Sequence, residues 1–99
     1  MKTKVAVASL SALAQESRLT IFRLLIQAGA EGVSAGKISE ATGIAPSALS
    51  FHLKELNHAG LLSSESAGRF VIYRANTQLM SELMAYLTEN CCAGVGCGL

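Results

Sequence analysis

A mainly α fold with one β-hairpin is predicted by three observations. Apolar residues recur at helical spacing along most of the chain. A short helix, a Gly-containing turn and a longer helix opening at Pro46 follow one another in the middle of the sequence. After Gly60 the pattern changes to a stretch rich in β-branched and aromatic residues around a turn. Helix, turn, helix and then hairpin is the order of a winged helix-turn-helix. With 99 residues, 51% apolar and 15% charged, the chain can bury one core and form one domain. A chain this short, with no Trp and 5% aromatics, gains stability from a second copy, so a homodimer is expected. A net charge of +1 excludes a strongly basic tail, and any nucleic-acid contact must come from a local patch.

Taken in order, residues 4–14 read as a helix of small residues. The first fifteen, MKTKVAVASLSALAQ, imitate a secretory leader with an Ala-x-Ala step at residues 12–14. Their apolar stretch is mostly Ala, Val and Ser, however, and cleavage there would leave a chain starting abruptly at a helix, so they are read as part of the domain. Arg18 and Arg23 interrupt the best apolar run, and no membrane span is expected. The second helix, residues 18–28, carries Leu19, Phe22, Leu25 and Ile26 at helical spacing, is also apolar at Ile21 and Leu24, and closes at Gly29 and Gly32. From Ser34 a short helix leads through Gly43-Ile44-Ala45 into the helix of residues 46–59. The hairpin is expected from residues 61–65 and 69–74, with its turn at Ser66-Ala67-Gly68. A last helix, residues 77–89, has a stripe of Leu79, Met80, Leu83, Met84 and Leu87, read first as core and, together with the first helix, as a subunit interface. The chain is thus divided into a winged-helix unit over residues 1–90 and a flexible Cys-rich tail over residues 91–99.

Projection of residues 46–59 at about 100° per residue puts Leu49, Leu53 and Leu56 on one face, with His52 and Ala59 at its edge. The other face collects Ser47, Ser50, Phe51, Lys54 and His58. Small hydroxyls around an aromatic ring allow a backbone approach to the major groove. Ser47 and Ser50 suit phosphates or base edges, and Phe51 suits a thymine methyl or a sugar. Lys37, Lys54 and Arg69 suit phosphates. The expected partner is double-stranded operator DNA, and the alternative is a winged helix that binds protein without DNA. His52 reads as a packed, hydrogen-bonded residue rather than a base reader.

Residues 13–25 (LAQESRLTIFRLL), 44–62 (IAPSALSFHLKELNHAGLL) and 68–74 (GRFVIYR) together resemble the ArsR/SmtB metalloregulators, from about Leu10 to Leu87. Ser50-x-His52-Leu53 followed by Ala59-Gly60-Leu61 is the most specific part. The resemblance implies a homodimeric winged-helix repressor joined through its first and last helices, whose operator affinity falls when an inducer binds. Two sites common in that family are missing. The Cys-x-Cys pair would fall at residues 33–38, which hold no cysteine. A zinc site on the last helix needs His and carboxylate ligands, and residues 77–90 offer only Glu82 and Glu89. What remains resembles arsenic-responsive members with a C-terminal vicinal Cys pair and a third Cys nearby.

All three cysteines, Cys91, Cys92 and Cys97, lie in that tail. They do not form a disulfide framework and fit a reducing cytoplasm. Three thiolates without an imidazole suit a soft, three-coordinate ion, which makes As(III) the expected inducer with Sb(III) the second candidate. Ala93-Gly94-Val95-Gly96 would let the chain return Cys97 to the pair. A Cys97 disulfide with Cys91 or Cys92 as a redox switch, and a cadmium, lead or mercury site, are the competing readings. A thiol-rich sequestration module without DNA binding is the rival from another class. No enzyme is expected, because the chain has no Asp and no Gly-rich phosphate loop.

Overall fold

The computed structural model describes residues 1–94. Helices α1 (Thr3–Leu13) and α2 (Glu16–Ala28) lead through a 3₁₀ turn (Gly29–Glu31) into β1 (Val33–Ser34), α3 (Ala35–Thr42) and α4 (Pro46–His58). Strands β2 (Leu62–Ala67) and β3 (Phe70–Ala75) form the wing, and α5 (Thr77–Thr88) precedes a 3₁₀ turn (Cys91–Gly94). The predicted mainly α fold with a hairpin wing is what the chain adopts. Residues 95–99 of the expected Cys-rich tail, Cys97 among them, lie outside the described residues. No helix among the described residues is long and apolar enough to cross a membrane.

Short polar bonds set the α3–α4 turn. Ser34 caps α3, accepting from the Lys37 N–H. Gly43 ends α3 in the left-handed region at φ 74°, where a side chain would be strained, and donates its N–H to the Ser39 carbonyl. The Ser39 hydroxyl donates to the Ile44 carbonyl at 2.6 Å, and the Ile44 N–H donates to Thr42 Oγ1 at 3.3 Å. Extended Ala45 and Pro46, the latter in the first turn of α4, then start the helix.

The core forms where α2, α3 and α4 meet the base of the wing. It joins Ile21, Phe22, Leu25, Ile38, Leu49, Leu53, Leu56, Leu61 and Leu62. The predicted buried face of α4 is therefore the observed one. On α2 the apolar stripe is corrected: Ile21, Phe22 and Leu25 are buried, while Leu19 and Ile26 stay exposed. Leu19, Ile21, Phe22, Leu24, Leu25 and Ile26 point to more than one side of the helix, and only the side facing the core is fully covered.

The wing belongs to a three-stranded antiparallel sheet in the order β1-β3-β2. Val33 pairs with Tyr73 and Ser34 with Ile72. A two-residue strand carries too little alternation to announce itself in sequence. Gly32 leads into it at φ 70°, and a Cβ there would come within 2.7 Å of Ile72 Cγ2 and the Tyr73 carbonyl oxygen. The hairpin turn also differs from expectation. Ser66 and Ala67 remain in β2, opposite Val71 and Phe70, so the loop is Gly68-Arg69, with Gly68 at φ 64°. Apart from Leu62, β2 is exposed, so no buried alternation marked where the strand should stop.

Helices α1 and α5 pack as a pair at one end. Ala6, Ser9 and Leu83 are buried there, and the Thr3 and Tyr86 hydroxyls share a hydrogen bond of 2.5 Å. Asn76 anchors the start of α5: its Oδ1 accepts from the Leu79 N–H, while its Nδ2 donates to the Gly60 carbonyl. Of the predicted α5 stripe, Leu79 and Met80 lean on the main core, Leu83 is buried, and Met84 and Leu87 are exposed.

Candidate nucleic-acid interface and thiol end

Ser47, Ser50, Phe51 and Lys54 are all exposed, on the side of α4 opposite Leu49, Leu53 and Leu56. Their spacing of three and four residues places them in one stripe. Phe51 is 55% exposed, an aromatic ring held in solvent on the helix that follows a tight turn. The structure thus brings these four predicted residues onto a single surface.

Lys37 and Arg69 sit elsewhere. Lys37, in the first turn of α3, lines a shallow groove of about 290 Å³ with Val33, Ser34, Phe70 and Ile72. It therefore belongs to the seam between α3 and the wing rather than to the α4 stripe. Arg69 occupies the hairpin turn itself, at the wing tip. Beside it Phe70, 63% exposed, was not singled out in sequence. Its signal was available, since an aromatic residue at a strand end just past the turn has only the small Ala67 opposite it. Arg74 was also missed. It pairs with Glu65 at 2.9 Å and its Nε donates to the Ala30 carbonyl at 2.7 Å, tying the wing to the turn after α2.

Half-buried His52 accepts from Arg18, Nη1 to Nδ1, at 3.4 Å. Its ring also meets Phe51 edge-on, with centroids 5.7 Å apart. This matches the hydrogen-bonded, core-edge role read from the sequence. Arg18 itself could not be assigned that way, because the contact spans 34 positions.

At the other end of the molecule, α5 stops at Thr88 and the chain turns sharply, with Asn90 and Cys92 at φ 56° and 55°. The turn sets the sulfurs of Cys91 and Cys92 3.6 Å apart. Cys91 is half-buried and disulfide-bonded, whereas Cys92 is an exposed free thiol. The third predicted ligand, Cys97, lies outside the described residues.

Comparison with known proteins places this architecture. A helix-turn-helix domain family matches residues 13–65. The HTH-type transcriptional regulator YgaV of Escherichia coli (strain K12) is 31% identical over 87 residues, which cover 88% of this chain and 86% of the relative. An ArsR-like transcriptional regulator from Rhodococcus sp. RHA1 superimposes with a TM-score of 0.77 at 26% identity, covering 92% of this chain and 82% of that one. The homodimeric winged helix-turn-helix DNA-binding domain of a Mycobacterium bovis protein, named as a possible ArsR-family regulator, gives a TM-score of 0.72 at 28% identity, with coverages of 86% and 76%. A structure named as a possible transcriptional regulator for arsenical resistance gives a TM-score of 0.70 at 29% identity, with coverages of 80% and 79%.

Proposed function

The chain belongs to the ArsR family of winged-helix, DNA-binding transcriptional regulators, and on that premise we propose that it is a homodimeric, arsenic-responsive repressor. The observation that carries the proposal is a pair of neighbouring sulfurs: those of Cys91 and Cys92 lie 3.6 Å apart directly after α5. The outer side of α5 is itself unpaired and apolar at Met84 and Leu87, as is α1 at Val5, Val7 and Leu10. In the reduced protein, arsenous acid condenses with the thiols of Cys91, Cys92 and Cys97. Each As–S bond forms as an As–O bond breaks, and each thiol proton leaves with hydroxide as water. The arsenic lone pair fills the fourth direction.

In this reading α1 and α5 join two subunits. The paired α4 helices then enter successive major grooves of a roughly palindromic operator, about 34 to 36 Å apart. Ser47, Ser50, Phe51 and Lys54 meet bases and backbone, while Lys37 and Arg69 neutralise phosphates beside the wing. Metalloid at the end of α5 shifts that helix and the interface it builds, and the groove spacing is lost. A 100-fold weakening of operator binding corresponds to about 2.7 kcal/mol of coupling, a modest demand on three As–S bonds. The similarity to a possible regulator of arsenical resistance supports the choice of metalloid.

The test is fluorescence anisotropy of the reduced protein on DNA from its own promoter, titrated in turn with As(III), Sb(III), Cd(II) and Zn(II). Release by As(III) or Sb(III) alone is the expected result. DNA binding indifferent to all four ions would remove the metalloid reading. One observation favours a second reading, thiol oxidation as the signal: Cys91 is disulfide-bonded. Release on oxidation without any response to As(III) would decide for it.

A further inference from the structure

We infer that Arg18 and His52 form the link through which the position of α1 sets the position of α4, making Arg18 a positioning residue for DNA binding. The inference rests on the reading of α4 as the helix that meets DNA. Arg18 lies in the first turn of α2, where its main-chain N–H is held by Gln15 Oε1 at 2.9 Å. Its guanidinium then bonds two other elements. Nε donates to the Ala12 carbonyl at 2.7 Å, and Nη1 donates to His52 Nδ1 at 3.4 Å.

Each contact has a physical reason. Ala12 is in the last turn of α1, where carbonyls lack a helical partner and a cation is favoured. A guanidinium is a rigid plane of donors, so bonds to two helices at once fix their relative orientation; a lysine ammonium on its flexible stem would not. Because the guanidinium only donates, His52 Nδ1 must be the acceptor, which places the ring proton on Nε2. Beside the link, α1 and α4 flank an open groove of about 310 Å³ with Ala8, Ser11, Glu55 and Ala59 in its walls. The two helices touch, but the groove leaves part of their seam unfilled, and Arg18 reaches along it from Ala12 to His52. The His52 ring stands edge-on to Phe51, whose side chain is on the candidate DNA face. Motion of α1 thus reaches α4 through Ala12, Arg18 and His52 in turn.

The experiment has two arms. In the first, ¹⁵N-detected NMR of the His52 ring in the DNA-free reduced protein should show Nδ1 unprotonated and Nε2 protonated, with the Nδ1 signal shifted in Arg18→Gln. In the second, anisotropy on promoter DNA compares Arg18→Gln, His52→Ala, His52→Asn and the Arg18→Gln/His52→Ala double variant, each checked for an unchanged thermal midpoint and oligomeric state. Loss of a hydrogen bond to a charged group sets the scale at about tenfold. Arg18→Gln and His52→Ala should each weaken binding by about that factor, and the double variant no further, because all three lack the same bond. His52→Asn, whose amide oxygen stands near the Nδ1 position, should stay within about threefold of wild type. The link is overturned by single losses that multiply in the double variant, by Arg18→Gln binding as wild type does, or by a proton on Nδ1. Failure of the wild-type protein to bind promoter DNA would count against the repressor reading instead, and the ring-nitrogen signals would then decide the link alone.

Discussion

The helix-turn-helix half of the molecule and the α1–α5 end dispose of their apolar residues in different ways. In the first, nine buried side chains from α2, α3, α4 and the wing base close around one another. In the second, Ala6, Ser9 and Leu83 are buried, while Val5, Val7, Leu10, Met84 and Leu87 face outward, Met84 at 60% exposure. The radius of gyration, 15.0 Å, exceeds the roughly 13 Å of a compact domain of this length, which fits a helical pair reaching beyond the core. One half is complete by itself, and the other has the composition of half an interface. Closed packing and uncovered apolar surface are therefore built into separate parts of the molecule.

Variants that act on one half and spare the other sharpen this contrast. The largest effect is expected from Leu56→Ala, since Leu56 is fully buried in the closed core: about 2 to 5 kcal/mol of stability should be lost, read by chemical denaturation. A loss well under 1 kcal/mol would mean that the core is not closed as described. Next, Leu87→Glu puts a charge on the exposed face of α5. Sedimentation should show the dimer dissociating and anisotropy should show operator affinity falling about 100-fold, near 2.7 kcal/mol, with little change in helical content. A stable dimer carrying this variant would move the interface elsewhere.

Phe51→Ala should leave the thermal midpoint nearly unchanged, because the ring is exposed, yet weaken operator binding by about 1 to 2 kcal/mol. The opposite pattern would make Phe51 a structural residue. The smallest effect belongs to Arg69→Ala at the wing tip. Binding should weaken by a few-fold on every sequence, and the slope of affinity against salt should flatten by about one unit per wing. A sequence-selective loss would instead make Arg69 a groove reader.

The contrast also explains what was legible in the sequence. The α4 pattern was readable because buried leucines at spacings of three and four residues leave the opposite face defined by exclusion: Leu49, Leu53 and Leu56 inside, Ser47, Ser50, Phe51 and Lys54 outside. The wing was readable as a hairpin but not in register, since Ser63 to Ala67 are exposed and carry no buried alternation. β1 was invisible because a pair of residues has no period, and it exists through its pairing with β3. The stripe on α5 was readable as apolar, but periodicity alone could not divide Leu83, covered within the chain, from Met84 and Leu87, which stay exposed. Arg18 and Asn76 were hidden for another reason: their partners, Ala12 and His52 for one and Gly60 for the other, are chosen by tertiary proximity, which local sequence does not encode. The thiols announced themselves by clustering, and the structure adds the proximity of Cys91 and Cys92 at the end of α5.

In the proposed mechanism metalloid at the thiol end and DNA at α4 each weaken the binding of the other. The most direct test is the affinity of the reduced protein for As(III), measured once free and once saturated with promoter DNA. Linkage requires the two effects to be reciprocal, so As(III) should bind the DNA-bound protein more weakly by the same factor by which it weakens DNA binding. Equal As(III) affinities in the two states would contradict the account, because a ligand without differential affinity shifts no equilibrium.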